Sequence, residues 1–224
     1  MTQMPLAAAF LAAAFLTTGT AAAQQPAILL TPADPARWDI AGRVGWLGAD
    51  TSGAGTIGDD WYDTFAGAVS IGRYVTPHLK TEIHGGMTGE GRIYRVEELP
   101  LPGAPPVFRA QEHYFRSATI GAGVFYQFFD NQWFHPFAGG GIEVLRERDR
   151  VKVQPPFGQV PGRALPPLTT PPSPQVTYAA RPFVATGFKW YVAERAFVRT
   201  GIQASFSNHG ATHVVWTAGI GGDL

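Results

Sequence analysis

The chain has 224 residues, and its 17 basic and 17 acidic side chains balance to zero net charge with only 15% of residues charged. That balance leaves no basic footprint for nucleic acid, and the absence of cysteine excludes a disulfide framework and a thiolate metal site. The 27 glycines and 12% aromatic residues suit close strand packing and interfacial rings better than a soluble α/β core.

At the N-terminus an apolar run from Leu6 to Leu16 is too short to span a bilayer as a helix, and the small residues Ala21, Ala22 and Ala23 follow before Gln24. Residues 1–23 therefore read as a secretory signal peptide, although Met1 to Pro5 contain no Lys or Arg. Residues 24–37 read as a short periplasmic segment ahead of a domain at 38–224. No later stretch approaches the roughly 20 consecutive apolar residues of a transmembrane helix. A mature chain that enters a membrane does so as strands.

Period-2 segments between turn signals predict eight strands, centred on 38–48, 61–75, 79–96, 111–129, 133–148, 177–192, 196–207 and 211–224. Tight turns are expected at Val75 to His78, Asp130 to Gln132 and Ala193 to Arg195, where Pro, Asp and Asn favour turn backbone conformations. Longer connections fall at 49–60, 97–110 and 149–176, with a short one at 208–210. Every second connection is tight, as expected when one barrel rim faces the periplasm and the other faces outside. An even strand number puts both chain ends at the periplasmic rim.

Alternation separates two faces. Leu79, Thr81, Ile83, Gly85 and Met87 share one face, as do Ala118, Ile120, Ala122, Val124, Tyr126 and Phe128, and again Val198, Thr200, Ile202, Ala204 and Phe206. The opposite parity carries Lys80, Glu82, His84, Glu143, Lys189, Arg199, Gln203 and Ser205. A charge facing lipid at mid-depth costs about 2–4 kcal/mol, whereas one in the lumen can be paired, so the uncharged sets belong outside. In the last strand Val214, Trp216, Ala218, Ile220, Gly222 and Leu224 form the outward set. Aromatic residues beside the tight turns, namely Tyr74, Phe128, Phe129, Trp133, Phe134, Trp190, Tyr191 and Phe197, are expected to form a periplasmic girdle. The interval 153–176 holds eight prolines and is expected to be an extended loop on the outer rim.

The signal peptide, eight amphipathic strands, three tight turns and terminal strand from Val214 to Leu224 resemble a small outer-membrane β-barrel of the OmpA/OmpX-like class. The resemblance implies an all-β, eight-stranded antiparallel up-and-down transmembrane barrel with a filled lumen, monomeric, in the bacterial outer membrane. It also implies that outer-membrane lipid surrounds the barrel and that the insertion machinery reads the C-terminal strand. That class usually ends in Phe; Leu224 keeps the hydrophobicity and parity but not the ring.

Eight strands enclose an interior just wide enough for side chains to fill. The lumen candidates Arg43, Lys80, Glu82, Glu143, Lys189 and Arg199 are expected to form a salt-bridged structural plug. The functional expectation is a non-enzymatic barrel with a structural or surface-interaction role through its outer loops, whose extracellular partner the residues do not identify. Two alternatives stand beside it. One is a narrow conduit for small hydrophobic molecules. The other is a lipid-modifying enzyme similar to the lipid A deacylases, in which a His and a Ser on the lipid-facing surface act as base and nucleophile. Ser205, Ser207, His209 and His213 crowd one hairpin, but Ser207 precedes His209, the reverse of the deacylase order, and Asp223 is the only carboxylate that follows. The six histidines lack ligand spacing, so neither a metal nor a cofactor is expected, and no catalytic residue is assigned. Gly139-Gly140-Gly141 lacks the strand-to-helix context of a nucleotide loop and is expected to serve close packing or a bend in the wall.

Overall fold

The computed structural model describes residues 38–50, 57–58, 61–99, 107–129, 133–154, 174–207 and 210–224. The expected signal peptide, the periplasmic segment, the turn at 130–132 and most of the proline-rich interval lie outside the described residues.

Ten strands run β1 (Trp38–Asp50), β2 (Ile57–Gly58), β3 (Trp61–Tyr74), β4 (Leu79–Thr88), β5 (Gly91–Leu99), β6 (Val107–Gln127), β7 (Phe134–Val153), β8 (Gln175–Tyr191), β9 (Ala196–Ser207) and β10 (Gly210–Asp223). All pairings are antiparallel. β4 and β5 pair with successive parts of β6 and form one stave, and β2 is a short addition against β5. The β6–β7 pairing closes the ring, so the wall is an eight-stave barrel without a free edge. Closure lets neighbouring staves satisfy each other's backbone groups, which a lipid environment demands.

The expected stave at 79–96 is interrupted after Thr88, where Gly89 donates its N–H to the Phe65 carbonyl (2.8 Å). Gly91 resumes pairing beside the Tyr62 ring, and a Cβ there would overlap that ring. The expected loop at 97–110 is shorter than its turn residues suggest. Strand pairing continues through Leu99↔Val107 because the alternation of Arg95, Val96 and Glu97 against Gln111, Ala110 and Arg109 persists beyond the apolar band. Similarly, β7 runs to Val153 rather than ending near 148.

Close approach also explains the glycine run of β7. A Cβ on Gly141 would overlap the Ala122 carbonyl oxygen, and one on Gly139 would overlap that of Val124. Here glycine lets β6 and β7 pinch together, which tightens the wall.

The outer face is apolar, with Ile83, Met87, Ile120, Ile142, Val184, Trp216 and Ile220 all exposed. Inside, Leu47, Ala49, Tyr62, Ala66, Ile93 and Phe115 pack together toward the rim opposite the chain ends, with Tyr62 stacked on Phe115 at 5.1 Å. Phe125, Phe137 and Phe183 form a second cluster deeper in the lumen. The Phe125 and Phe137 rings of the second cluster stand against the charged layer described next.

Candidate functional site

The side chains with chemistry face inward. Parity places Asp39 and Arg43 on the inner side of β1, Lys80, Glu82 and His84 on that of β4, and Lys189, Arg199 and Asp223 on those of β8, β9 and β10. Glu82 is the hub: its Oε2 lies 2.7 Å from Lys80 Nζ and accepts a 2.6 Å hydrogen bond from Arg199 Nη1, while Oε1 lies 3.7 Å from Arg43 Nη2. Toward the chain ends, Lys80 donates to Asp39 Oδ2 at 3.0 Å. Lys189 donates to Asp39 Oδ2 at 3.2 Å, to Asp223 Oδ1 at 2.8 Å and to the Tyr74 hydroxyl at 2.9 Å. Gln127 donates to the Tyr74 oxygen, and the Tyr191 hydroxyl donates to Asp223.

Aromatic faces wall this layer. The Lys189 ammonium lies 3.8 Å from the centre of the Phe197 ring, and the Arg199 guanidinium lies 4.6 Å from that of Phe137. Such contacts stabilise desolvated cations. Tyr74, Tyr191 and Phe197, expected in a lipid-facing girdle, therefore turn inward; the parity that exposes Trp190 and Val198 dictates it. Phe128, Phe129, Trp133 and Trp190 do lie exposed at that rim.

Five of the six expected lumen residues thus meet in one network: Arg43, Lys80, Glu82, Lys189 and Arg199. Glu143 lies apart from it. It accepts hydrogen bonds from Ser205 Oγ (2.6 Å) and Gln203 Nε2 (2.7 Å) and sits 3.8 Å from His84 Nε2. This second layer borders a cavity of about 70 Å³ that Arg43, His84, Gln203, His213 and Thr217 also line, the size of a few water molecules. Arg43 Nε and His84 Nε2 are buried there without a hydrogen-bond partner among the described residues.

Asp39 and Asp223 are the functional residues that the sequence reading missed. The signal was charge balance. The six expected residues comprise four cations and two anions, and a lumen sealed by aromatic rings requires two further acids, which inward parity in the first and last strands supplies.

The residues crowded in the β9–β10 hairpin do not assemble a hydrolase site. Ser205 and His213 are directly opposed in register but both are buried in the lumen, away from the lipid-facing surface. Ser205 gives its proton to a Glu143 hydrogen bond, and His213 Nε2 lies 3.8 Å from Glu147. Asp223 is engaged by Lys189 and Tyr191 at the opposite end of β10. His209 lies outside the described residues. Among the described residues no group of three or more His, Asp or Glu is placed to hold a metal ion.

No family model matches the sequence, and no curated protein matches it. Solved structures do. The N-terminal β-barrel domain of Pseudomonas aeruginosa OprF matches over 85% of this chain and 100% of its own, with 11% identity and a TM-score of 0.50. The fold is that of a small outer-membrane β-barrel. Neisserial surface protein A (NspA) agrees, with 84% of this chain and 96% of its own covered at 14% identity and a TM-score of 0.52. Both are outer-membrane barrels, and at these identities the shared property is the wall and its topology.

Proposed function

We propose that this chain is a non-enzymatic outer-membrane barrel with a closed lumen, acting as a structural or surface-interaction protein through the rim opposite its chain ends. The chain ends and tight turns face the periplasm in this reading, and the long connections face outside. The observation that carries it is the Glu82 hub. One carboxylate engages three cations from three staves, β1, β4 and β9, and so ties those staves together across the lumen. A conduit for hydrophobic molecules would have to pass this desolvated ion layer, which presents the worst surface for such a solute. The cavity of about 70 Å³ around His84 and Glu143 has room for only a few waters.

The test is electrical. Folded protein reconstituted into planar bilayers is expected to show no stable unitary conductance, while Glu82→Ala combined with Arg199→Ala, which removes the hub and one strut, is expected to show intermittent openings. Steady wild-type channels would overturn the closed-lumen reading.

A further inference from the structure

On the outer face of β6, β7 and β8, the apolar band ends abruptly in arginine. From Phe128 to Ala118 on β6, from Phe134 to Val144 on β7 and from Trp190 to Ala180 on β8, roughly ten residues at about 3.3 Å rise and a tilt near 40° span about 25 Å along the barrel axis, the height of an apolar band. The next outward position on these strands is Arg116, Arg146 and Tyr178, and the one after that on β7 is Arg148. All three arginines are exposed. The ladder thus sits at the level of lipid headgroups.

Its pairing is unusual. Arg116 lies directly opposite Arg148 in the β6–β7 register. Like charges directly opposed across strands repel and destabilise a sheet. Farther out on the same face, the wall neutralises its cations: Arg92 pairs with Glu112 at 3.0 Å and Arg150 with Glu90 at 3.3 Å. Arg116, Arg146 and Arg148 have no carboxylate partner among the described residues; Arg146 donates only to the Tyr178 hydroxyl, at 3.3 Å. The sequences that connect β5 to β6 and β7 to β8, 100–106 and 155–173, contain no Asp or Glu.

We infer that the missing counter-charge is a phosphorylated lipid of the outer leaflet. Its phosphates bridge Arg116 and Arg148, with Arg146 and the Tyr178 hydroxyl as a further cation and polar group. Its acyl chains lie on the shallow face of Ile120, Val144 and Ala180, which are aligned in register directly below. Arginine suits this role because its planar fork matches phosphate oxygens two at a time. The inference rests on the reading that the barrel sits in the outer membrane with this rim outside.

The test uses the full-length folded protein in phosphatidylcholine nanodiscs, with heat-modifiable gel migration reporting the barrel. Bisphosphorylated lipid A, the same lipid stripped of its phosphates, and excess inorganic phosphate are offered as probes, and retention is read by native mass spectrometry. Wild type is expected to retain lipid A at least about tenfold better than its dephosphorylated form. Arg116→Gln with Arg148→Gln should lower retention by about tenfold or more, since each charge-assisted contact is worth roughly that factor. Without lipid A the double variant should melt at or above the wild-type Tm because the repulsion is gone, and lipid A should raise the Tm of wild type far more than that of the variant. Equal retention by wild type and variant, indifference to dephosphorylation, or displacement of lipid A by inorganic phosphate would overturn the lipid site. Loss of heat-modifiable migration by the wild type would instead refute the barrel reading and the site with it.

Discussion

Lys189 and Asp39 stand 150 residues apart in sequence, yet the ammonium donates to the carboxylate at 3.2 Å inside the barrel. Their meeting ties the first stave to the sixth across the lumen instead of along the wall, and Asp223 on the last stave binds the same ammonium. The two ends of the domain are thus joined through side chains as well as through the β1–β10 ladder. A network of this kind fixes the barrel's cross-section, because its buried charges meet their partners only when the staves keep their stagger.

Glu82 is the member whose loss should matter most. Glu82→Gln removes the charge that three cations share and leaves Arg43, Lys80 and Arg199 repelling one another in a desolvated layer. Breaking a buried pair this way costs about 3–5 kcal/mol. Urea unfolding of the barrel in lipid vesicles, followed by tryptophan fluorescence, should show a midpoint shift of that size, and a shift below about 1 kcal/mol would mean that water reaches the hub.

Much of this was readable from the amino acids. Alternation gave the staves and their faces because a strand's side-chain period is fixed at two, and lipid penalises any charged residue that breaks the pattern. Arg43, Lys80, Glu82, Lys189 and Arg199 follow from parity alone. The partnering does not, because which inward charges meet depends on the stagger between staves, and a local pattern carries no stagger. Asp39 and Asp223 look like rim residues until the closing β1–β10 register places them beside Lys80 and Lys189. The girdle aromatics show the same limit: proximity to a turn suggested the interface for Tyr74, Tyr191 and Phe197, while parity sent them into the lumen.

Face assignment separates two failures. Ile202→Arg places a charge opposite Thr186, in the middle of the apolar band, and is expected to impair insertion at a cost of about 2–4 kcal/mol. Lys80→Gln leaves the outer face untouched but strands Asp39 and Glu82 beside each other, so it should insert and then unfold at lower denaturant concentration than wild type. Quantifying membrane-integrated protein and then its unfolding midpoint distinguishes them; the reverse ranking would invert the assignment of faces.

Gly141 offers a test of the wall itself. Its missing Cβ is what lets the Ala122 carbonyl approach, so Gly141→Val should force β6 and β7 apart, at the roughly 1–3 kcal/mol typical of overpacking or more. Gly42, where a Cβ would meet nothing within 4 Å, is the control. Refolding yield into detergent should fall for Gly141→Val and hold for Gly42→Val. Equal yields would show that the pinch is relaxed in solution.

The non-enzymatic reading makes a chemical prediction. An activated serine needs a base that accepts its proton and a free path to the substrate. Ser205 has neither an imidazole partner nor access, since its hydroxyl is committed to Glu143 within the lumen. Ser205→Ala, Ser207→Ala, His209→Ala and His213→Ala are therefore each expected to leave the acyl pattern of membrane lipid A identical to that of cells carrying the wild-type chain, as read by mass spectrometry. The comparison with cells lacking the chain should also show no acyl group gained or lost. An acyl change that requires the wild-type chain and vanishes in the Ser207 or His209 variant would establish a catalytic centre on the outer hairpin and reverse the reading.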